Sequence, residues 1–331
     1  MTDLVSIARA LVMKGKGLLA ADESTHTATK RLASYGIGTS EEMRREFRDL
    51  FIDTPGIEEY LSGVILYEET LGQKGGDGKL FPKSLADRGI APGVKVDAGT
   101  EPYPSSPDEF ITGGLIGLPE RLAAYKKQGA LFTKWRAVIT IDGDRLPTAQ
   151  AIHENARRLA SYAKDVQSAG MVPILEPEVL LDGNHSRERT KAVLTETLST
   201  LFAVLEEHAV DRASVVLKTA MALTGAASPK KDTPEEVAEA TLEALTEAVP
   251  RQVAGIVFLS GGQSPEEATE NLAAISRRAR GAGAPWPLTF SYARALQEEA
   301  LAVWKGKKEN VPAAREAFLA RLKRVSAALS A

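Results

Sequence analysis

A lysine closes a short apolar run in the stretch Ala213–Lys218, whose sequence is ASVVLK. The length of this run and its β-branched valines are typical of a strand buried on both faces of a parallel sheet. A lysine at the end of such a strand lies where water is scarce. Burial penalises its ammonium form, and a neutral lysine amine is a nucleophile. The stretch therefore predicts a buried strand, Val215–Lys218, that carries a reactive amine at its carboxyl end.

Seven further apolar runs share this design, because charged or hydroxyl residues lie at or just after their ends. These runs are Leu18–Ala21, Gly63–Tyr67, Gly93–Val96, Leu131–Arg136, Val172–Leu175, Gly255–Leu259 and Leu288–Phe290. Helical patterns lie between most of the runs. The clearest of them are Thr148–Ala169, Ser186–Glu207, Thr233–Ala248 and Ser264–Arg280. Strands that alternate with helices predict a parallel sheet.

Eight is also the number of strands that closes a (β/α)₈ barrel. The alternative is a doubly wound open sheet, but no Gly-x-Gly-x-x-Gly motif follows the first predicted strand, as it does in dinucleotide-binding sheets. No linker rich in Pro, Gly or Ser divides the chain. The sequence therefore predicts an α/β protein, a (β/α)₈ TIM barrel, with a single domain over residues 1–331.

Composition limits the possible functions. The 331 residues carry a net charge of −3, which gives no reason to expect a nucleic-acid partner. There are no cysteines, so thiolate catalysis and cysteine-ligated zinc are excluded. Residues 1–17 lack the apolar core of a secretion signal, and no run approaches the length of a membrane span. We therefore expect a cytoplasmic protein with no membrane partner.

Charged residues stand where several predicted strands end, and in a barrel the catalytic groups project from these carboxyl ends. The charged positions are Asp22, Glu23, Glu68, Glu69, Lys95, Asp97, Lys134, Arg136, Glu176, Glu178 and Lys218. A spacing of two residues keeps Lys134 and Arg136 on one face of a strand. A lone charge at a strand end is usually a solvated loop residue, and Glu23, Glu68 and Glu69 fit that simpler interpretation. Lys134, inside an apolar run, fits it poorly.

The ends of strands seven and eight carry features of anion binding. After strand seven, Ser260 is followed by Gly261 and Gly262, whose backbone amides can approach an anion closely. After strand eight, Ser291 and Arg294 stand at the start of a helix. The loops after these two strands are the usual phosphate site of a barrel, although a Gly-Gly pair alone also fits a plain tight turn.

A second polar and basic group involves strand three and the segment after strand one. It consists of Lys95, Ser24, Thr25 and Arg31. We expect this group on the opposite side of the barrel mouth from Arg294. Two anion sites across one mouth predict a ligand that carries a phosphate at each end.

These residues resemble the class I fructose-1,6-bisphosphate aldolases, and the resemblance extends in order over nearly the whole chain. The matching motifs are GKGLLAADEST (Gly15–Thr25), GVKVD (Gly93–Asp97), KWR (Lys134–Arg136), VPILEPE (Val172–Glu178), LK (Leu217–Lys218), LSGGQS (Leu259–Ser264) and LTFSYAR (Leu288–Arg294). The resemblance implies reversible aldol cleavage of fructose 1,6-bisphosphate to dihydroxyacetone phosphate and glyceraldehyde 3-phosphate, a reaction of glycolysis and gluconeogenesis.

The resemblance also implies roles for individual residues. Lys218 would form the Schiff base with the ketone carbon, and Glu176 would be the general acid and base, supported by Glu178. Asp22 would orient or deprotonate the substrate hydroxyl next to the bond that breaks. Lys134 would bind that hydroxyl, assisted by Arg136. The ketone-end phosphate would be held by Ser260, Gly261, Gly262, Ser291 and Arg294, and the far phosphate by Ser24, Thr27, Arg31 and Lys95.

The family resemblance implies no cofactor and no metal, and it implies a homotetramer, with a dimer as the alternative. Two departures from the family pattern concern the phosphate sites. His26 stands where glycine is usual, and Ala293 replaces a glycine whose amide approaches the ketone-end phosphate. The printed sequence also ends without the tyrosine-terminated tail that animal members use in proton exchange. We expect another group or water to serve that step.

Two other functions remain open at this stage. A different Schiff-base barrel, such as a transaldolase or a sugar-monophosphate aldolase, would share Lys218 but need no second phosphate site. A barrel acting mainly as a binding or scaffold protein would have no use for the complete set of lysines and carboxylates.

Overall fold

A computed structural model describes residues 3–330 of the chain. The expected domain, 1–331, includes Met1, Thr2 and Ala331, which lie outside the described residues. The described part contains ten strands. They are β1 (Gly17–Ala21), β2 (Leu61–Leu66), β3 (Ala91–Lys95), β4 (Thr100–Tyr103), β5 (Ser106–Thr112), β6 (Phe132–Ile139), β7 (Val172–Val179), β8 (Val216–Thr219), β9 (Gly255–Phe258) and β10 (Leu288–Tyr292).

Eight of these strands form one closed parallel barrel, in the order β1-β10-β9-β8-β7-β6-β3-β2. The barrel closes because β1 pairs on one side with β2 and on the other with β10. Each of the eight predicted strands overlaps one strand of the barrel, so the predicted (β/α)₈ architecture is confirmed. The largest boundary difference is at β7, which continues four residues beyond the predicted end at Leu175.

The antiparallel hairpin formed by β4 and β5 was not predicted. It is inserted between β3 and the next helix, outside the barrel. Its segment contains three prolines, and most residues of β4 are exposed. The sequence therefore lacks the apolar alternation by which a half-buried strand is recognised.

Helices connect the barrel strands and cover their outer face. They are α1 (Leu4–Leu11), α2 (Thr25–Ser34), α3 (Glu41–Ile52), α4 (Glu68–Leu71), α5 (Phe81–Asp87), α6 (Leu118–Lys127), α7 (Ala149–Ser168), α8 (Arg187–Glu207), α9 (Pro234–Ala248), α10 (Pro265–Ala282), α11 (Arg294–Trp304) and α12 (Val311–Ala328). The four predicted helices correspond to α7, α8, α9 and α10. Capping boxes open α9 and α10, where Thr233 pairs with Glu236 and Ser264 with Glu267.

Alternation along each strand divides the apolar side chains into two clusters. Leu18 and Ala20 of β1 belong to a small cluster inside the barrel, closed below by α1, whereas Leu19 and Ala21 face the outer helices. The same alternation holds along β6, β7 and β8. Residues two positions beyond the last inward apolar residue therefore point into the barrel mouth.

The interior is tightly filled beneath the mouth, with Phe132 at its centre. Gly93 on β3 faces this ring, and a Cβ atom placed there would lie only 2.3 Å from it. No side chain fits at that distance, so glycine is required on β3 for Phe132 to be accommodated. The result is a rigid apolar floor below the charged residues at the strand ends.

Two carboxylates, Asp49 on α3 and Asp53 at its C-cap, secure the glycine-rich loop that follows α4. The backbone N–H of Gly76 donates to Asp49 at 2.7 Å and to Asp53 at 3.1 Å. Burial and the neighbouring Asp49 carboxylate raise the pKa of Asp53 to about 6. The loop is therefore held by two carboxylates that repel each other when both are ionised.

None of the helices within residues 3–330 combines the length and the apolar character that crossing a membrane requires.

Asp53→Asn should stabilise the protein at pH 7 and leave its stability unchanged below about pH 4. A raised carboxyl pKa means that the folded state binds more protons, so the wild type loses stability as the pH rises from about 4 to 6. We expect a gain of about 1 kcal/mol at pH 7, because Asp53 is only half-buried and solvent screens its charge. Urea unfolding at several pH values measures this difference.

Asp87→Asn provides a contrasting control. Asp87 pairs with Lys79 and Lys83, which lower its pKa. This substitution should therefore cause a small loss of stability at pH 7. An Asp53→Asn gain that is the same at pH 4 and at pH 7 would contradict the proposed repulsion.

Candidate active site

Four charged side chains meet inside the barrel at the carboxyl ends of its strands. Asp22 follows β1, Lys134 lies on β6, Glu176 on β7 and Lys218 on β8. Each stands two residues beyond an inward apolar residue, and their side chains are buried, with 3% to 9% of the residue exposed. The convergence predicted from the sequence is therefore present for all four residues.

The four charges form a continuous chain of contacts. Lys218 Nζ lies 3.0 Å from Glu176 Oε1, and the other oxygen of Glu176 lies 3.1 Å from Lys134 Nζ. Lys134 Nζ in turn lies 2.6 Å from Asp22 Oδ2. Two ammonium groups thus alternate with two carboxylates. Because the charges balance, all four can be ionised in a place from which water is largely excluded.

The two lysines determine the ionisation of the carboxylates. Burial alone would raise the pKa of Asp22, but the charges of Lys134 and Lys218 outweigh it and lower this pKa to about 2. In the same way, burial is outweighed at Glu176, whose pKa is lowered mainly by Lys134 and Lys218. Burial opposes the ammonium form of Lys134, yet Asp22 and Glu176 raise its pKa.

A second ion pair lies at the next inward-facing positions of β6 and β7, Arg136 and Glu178. The guanidinium Nε of Arg136 donates to the Glu178 carboxylate. Burial opposes the charge of Arg136, but Glu178 outweighs it and raises the pKa of the guanidinium. Arg136 lies directly beside Glu176 in the register of the two strands. Its charge also lowers the pKa of Glu176.

Lys95 lies at the rim of the mouth, at the end of β3. Its ammonium group donates to the Asp97 carboxylate and, at 2.8 Å, to the Asp97 carbonyl oxygen. The other carboxylate oxygen of Asp97 accepts the backbone N–H of Arg136 at 3.2 Å. Asp97 therefore ties the amine of Lys95 to the neighbouring strand, β6.

A cavity of about 370 Å³ opens over the Asp22 and Lys134 end of the charged chain, and its lining does not include Lys218 or Glu176. Residues predicted for catalysis and for the far phosphate share its lining, and they are Asp22, Ser24, Thr27, Lys95, Lys134 and Arg136. Ser24 begins α2, and its hydroxyl accepts the backbone N–H of Thr27 at 3.3 Å. The cavity thus joins the charged chain to a rim of hydroxyls and one ammonium group.

The residues predicted to hold the ketone-end phosphate lie at the ends of two neighbouring strands, β9 and β10. Gly261 has φ +53° and Gly262 has φ +93°, the left-handed region that glycine adopts without strain. A Cβ atom at Gly262 would lie 3.8 Å from an Nη atom of Arg294, so this guanidinium is close to the glycine loop. Ser260 and Ser291 are buried at the ends of β9 and β10, and the Ser291 hydroxyl meets no hydrogen-bond partner among the described residues.

Arg31 is not where the sequence analysis expected it. We expected it across the mouth from Arg294, but the two arginines line one neighbouring cavity of about 320 Å³. Barrel closure places the segment after β1 next to the segment after β10, which explains the difference. Lys95 lies opposite the Ser260–Gly262 loop rather than opposite Arg294, since β3 stands opposite β9 in the ring.

The two positions that depart from the family pattern lie at the edges of these groups. His26 is exposed in the first turn of α2, one residue before Thr27. Ala293 is the N-cap residue of α11 and packs against the cluster inside the barrel.

Two glutamates that fitted a solvated loop charge are instead paired. Glu23 is buried and contacts both Arg31 and Arg48, whereas Glu69 is held by Arg44. That interpretation was therefore wrong for both glutamates, although Glu68 is exposed. Arg48 was not predicted from the sequence. A signal was present, because Arg44 and Arg48 share one helix face with Phe47 and Phe51.

An eight-stranded parallel barrel with buried lysines and carboxylates at its carboxyl-terminal mouth has the architecture of a barrel enzyme. The family model described as "Fructose-bisphosphate aldolase class-I" matches residues 3–331. The chain belongs to the class I fructose-bisphosphate aldolase family, as the resemblance predicted.

Relatives from different kingdoms agree with this assignment. The chain is 47% identical over 321 residues to fructose-bisphosphate aldolase 4, cytosolic, of Arabidopsis thaliana, covering 97% of this chain and 81% of that protein. It is 48% identical over 322 residues to the fructose-bisphosphate aldolase of Drosophila melanogaster, covering 97% of this chain and 88% of the other.

A solved structure also matches closely. It is the fructose-bisphosphate aldolase of Plasmodium falciparum in a ternary complex with TRAP and a small-molecule inhibitor. The TM-score is 0.96 at 44% identity, and the match covers 98% of this chain and 93% of that one. The barrel described above is therefore shared over nearly its full length.

Lys134→Met should destabilise the folded protein, because it leaves the Asp22 carboxylate buried without its closest cation. We expect a loss of about 3 kcal/mol at pH 7.5, the size typical of breaking a buried ion pair from one side. Adding Asp22→Asn should recover much of this loss. Chemical unfolding of the single and double variants measures both effects.

Lys126→Met serves as the control for removal of a lysine. Lys126 is exposed, so its loss should change stability by no more than about 0.5 kcal/mol. If Asp22→Asn gave no recovery in the Lys134→Met background, the proposed ion-pair chain would be wrong as an energetic unit.

Proposed function

We propose that this protein catalyses the reversible cleavage of fructose 1,6-bisphosphate through a Schiff base on Lys218. The observation that carries the proposal is the buried contact of 3.0 Å between Lys218 Nζ and Glu176 Oε1, at the mouth of a barrel that belongs to the aldolase family. A nucleophilic amine and a proton acceptor are thus in hydrogen-bond reach of each other.

Schiff-base formation moves two protons from the nitrogen of Lys218 to the ketone oxygen, and Glu176 is placed to carry both. The ammonium group of Lys218 first passes a proton to Glu176, its neutral amine attacks the ketone carbon, and Glu176 gives that proton to the ketone oxygen. Glu176 then takes a second proton from the nitrogen and gives it to the new hydroxyl, which leaves as water while the nitrogen lone pair forms the C=N bond. The product is a positively charged iminium, and Glu176 is ionised again. Transfers of this kind typically contribute 10²–10⁴-fold to a rate.

Carbon–carbon cleavage uses the iminium as an electron sink. Asp22 accepts the proton of the hydroxyl on the carbon beside the bond that breaks, and that bond's electron pair moves to the iminium to give an enamine. The aldehyde product leaves. The enamine carbon then takes up a proton from water, Asp22 returns its own proton to solvent, and a second water hydrolyses the iminium to release dihydroxyacetone phosphate. With a pKa of about 2, Asp22 is ionised at neutral pH and available as the acceptor.

Lys134 and Arg136 set the electrostatic potential around the reacting groups. Lys134 bridges Asp22 and Glu176, so it can hold the substrate hydroxyl between the two proton acceptors. Arg136 adds positive charge beside Glu176, and Glu178 holds Arg136 in place. These groups are positioned before the substrate binds, which is the main requirement of electrostatic catalysis.

The two phosphates would occupy opposite sides of the mouth. We assign the ketone-end phosphate to Ser260, Gly261, Gly262, Ser291 and Arg294, and the far phosphate to Ser24, Thr27 and Lys95. Arg31 stands beside Arg294 and can reach the far phosphate only from the β10 side of the mouth. The opposition of β3 and β9 in the ring supports a bisphosphate rather than a monophosphate substrate.

We also propose that the chain forms one domain, works in the cytoplasm and assembles as a homotetramer, with a dimer as the alternative. The family membership supports the assembly, and the cytosolic Arabidopsis relative supports the location.

Borohydride added with dihydroxyacetone phosphate should leave a reduced, stable adduct on Lys218. The iminium is the species that borohydride reduces, so the adduct marks the nitrogen that formed it. Peptide mapping by mass spectrometry identifies the lysine. Lys218→Arg should give no adduct, whereas Lys126→Arg, at an exposed position, should give the wild-type yield. Labelling of another lysine while turnover proceeds would refute the assigned nucleophile.

Prolonged treatment with EDTA should leave the rate of fructose 1,6-bisphosphate cleavage unchanged. The proposed electron sink is the iminium itself, so no metal takes part in the reaction. Steady-state assays before and after dialysis against the chelator test this. A loss of activity that added zinc restores would point to metal-assisted aldol chemistry instead.

A further inference from the structure

One face of α3 carries a buried arginine that the reaction scheme above does not use. Arg48 is 3% exposed, and its guanidinium lies 4.7 Å from the centre of the Phe47 ring. Arg44, one turn earlier, lies on the same face and makes a bidentate contact with Glu69. Helix α3 thus directs two arginines toward the segments that follow β1 and β2.

Arg48 holds both the backbone and the side chain of Glu23. One Nη atom donates to the Glu23 carbonyl oxygen at 2.8 Å, and the other lies 3.1 Å from the Glu23 carboxylate. Glu23 directly follows Asp22. Because the peptide group after Glu23 is held from outside the barrel, the backbone that aims the Asp22 side chain has little freedom to rotate.

The same glutamate holds Arg31. Arg31 donates to the Glu23 carboxylate and to the side-chain oxygen of Gln297. Gln297 is fully buried, and its amide donates to the carbonyl oxygen of Ala20 at 3.3 Å. The backbone is therefore secured on both sides of Asp22, by Gln297 at Ala20 and by Arg48 at Glu23.

Stability alone does not explain this network of buried charges. A buried ion pair often contributes no more to stability than apolar side chains of the same volume would, because both charges must be desolvated. What the guanidinium provides is direction, since one Nη atom donates to the Glu23 carbonyl oxygen while the other lies in ion-pair contact, without a hydrogen bond, with the Glu23 carboxylate. The side chain that this positioning would orient is the Asp22 carboxylate, two residues beyond Ala20, the last inward apolar residue of β1.

We propose that Arg48 is a positioning residue that acts through Glu23 to aim Asp22 at the scissile side of the substrate and to hold Arg31. The inference rests on the proposed function, because it assigns Asp22 to the cleavage step. Arg48 does not contact Lys218 or Glu176, which stand on other strands. Its loss should therefore damage carbon–carbon cleavage and spare formation of the Schiff base.

Arg48→Lys tests this separation, because lysine keeps the charge but lacks the planar fork. We expect the variant to lose at least about 10-fold in kcat/KM for fructose 1,6-bisphosphate. Borohydride trapping of dihydroxyacetone phosphate on Lys218 should remain within about twofold of wild type, since that reaction breaks no bond beside Asp22. Arg44→Lys is the matched control, one turn away on the same face, and it should leave both rates near wild type.

Two outcomes would overturn the proposal. One is an Arg48→Lys variant with unchanged cleavage, and the other is an equal loss of cleavage and trapping, which indicates general damage to the barrel. If Arg48→Lys does not fold, Glu23→Gln decides by the same two assays. In Arg48→Ala, guanidinium ion at millimolar concentration should restore part of the cleavage rate without changing the trapping rate.

The proposed function fails in a different way. If wild-type protein gave no adduct on Lys218, the assignment of the nucleophile would be lost whatever Arg48 does. If the adduct forms normally and Arg48→Lys cleaves like wild type, only the positioning role is lost.

Discussion

The site depends on one constraint, the balance of four buried charges that each come from a different strand. Lys218, Glu176, Lys134 and Asp22 alternate in sign along a chain of contacts between 2.6 and 3.1 Å. None of them would be stable alone at such depth, since an unpaired buried charge costs several kcal/mol. The four strands must therefore be present together and in register before any one of these residues can act. In this sense the active site and the barrel are a single structure.

The strands of the barrel were recognisable as short apolar runs buried on both faces. Within each strand, the residue two positions beyond the last inward apolar residue points into the mouth, and on β6, β7 and β8 this residue is Lys134, Glu176 or Lys218. A charged residue at such an inward-facing position differs from a loop charge, whose position bears no fixed relation to the inward face of a strand. The eight strands and the charged chain could therefore be predicted from local pattern, and the assembled barrel confirms that convergence.

What could not be predicted depended on contacts between distant segments. Glu23 is indistinguishable in sequence from a solvated loop charge, and only the packing of α3 against the end of β1 shows that Arg48 covers it. The hairpin of β4 and β5 is paired within itself, most of β4 is exposed, and two of the three buried residues of β5 are polar, Glu109 and Thr112, so no apolar alternation marks it. Arg31 was misplaced for another reason. Barrel closure makes the first and last strands neighbours, although they are farthest apart in the chain.

The arrangement separates two electrostatic tasks. The four buried charges inside the barrel sum to zero, so protons can pass among them without leaving net charge in the apolar interior. In the proposed scheme the phosphates bind to cations at the rim, and two of these cations are already held by carboxylates, Lys95 by Asp97 and Arg31 by Glu23. Such partners fix the direction of a long, flexible side chain before the ligand arrives, which reduces the entropy lost on binding.

The carboxylate partners also compete with the phosphate for the same cation. In that scheme Lys95 and Arg31 would each be shared between a resident carboxylate and the ligand. This arrangement favours a ligand with two phosphates, because a single weakened contact is not enough.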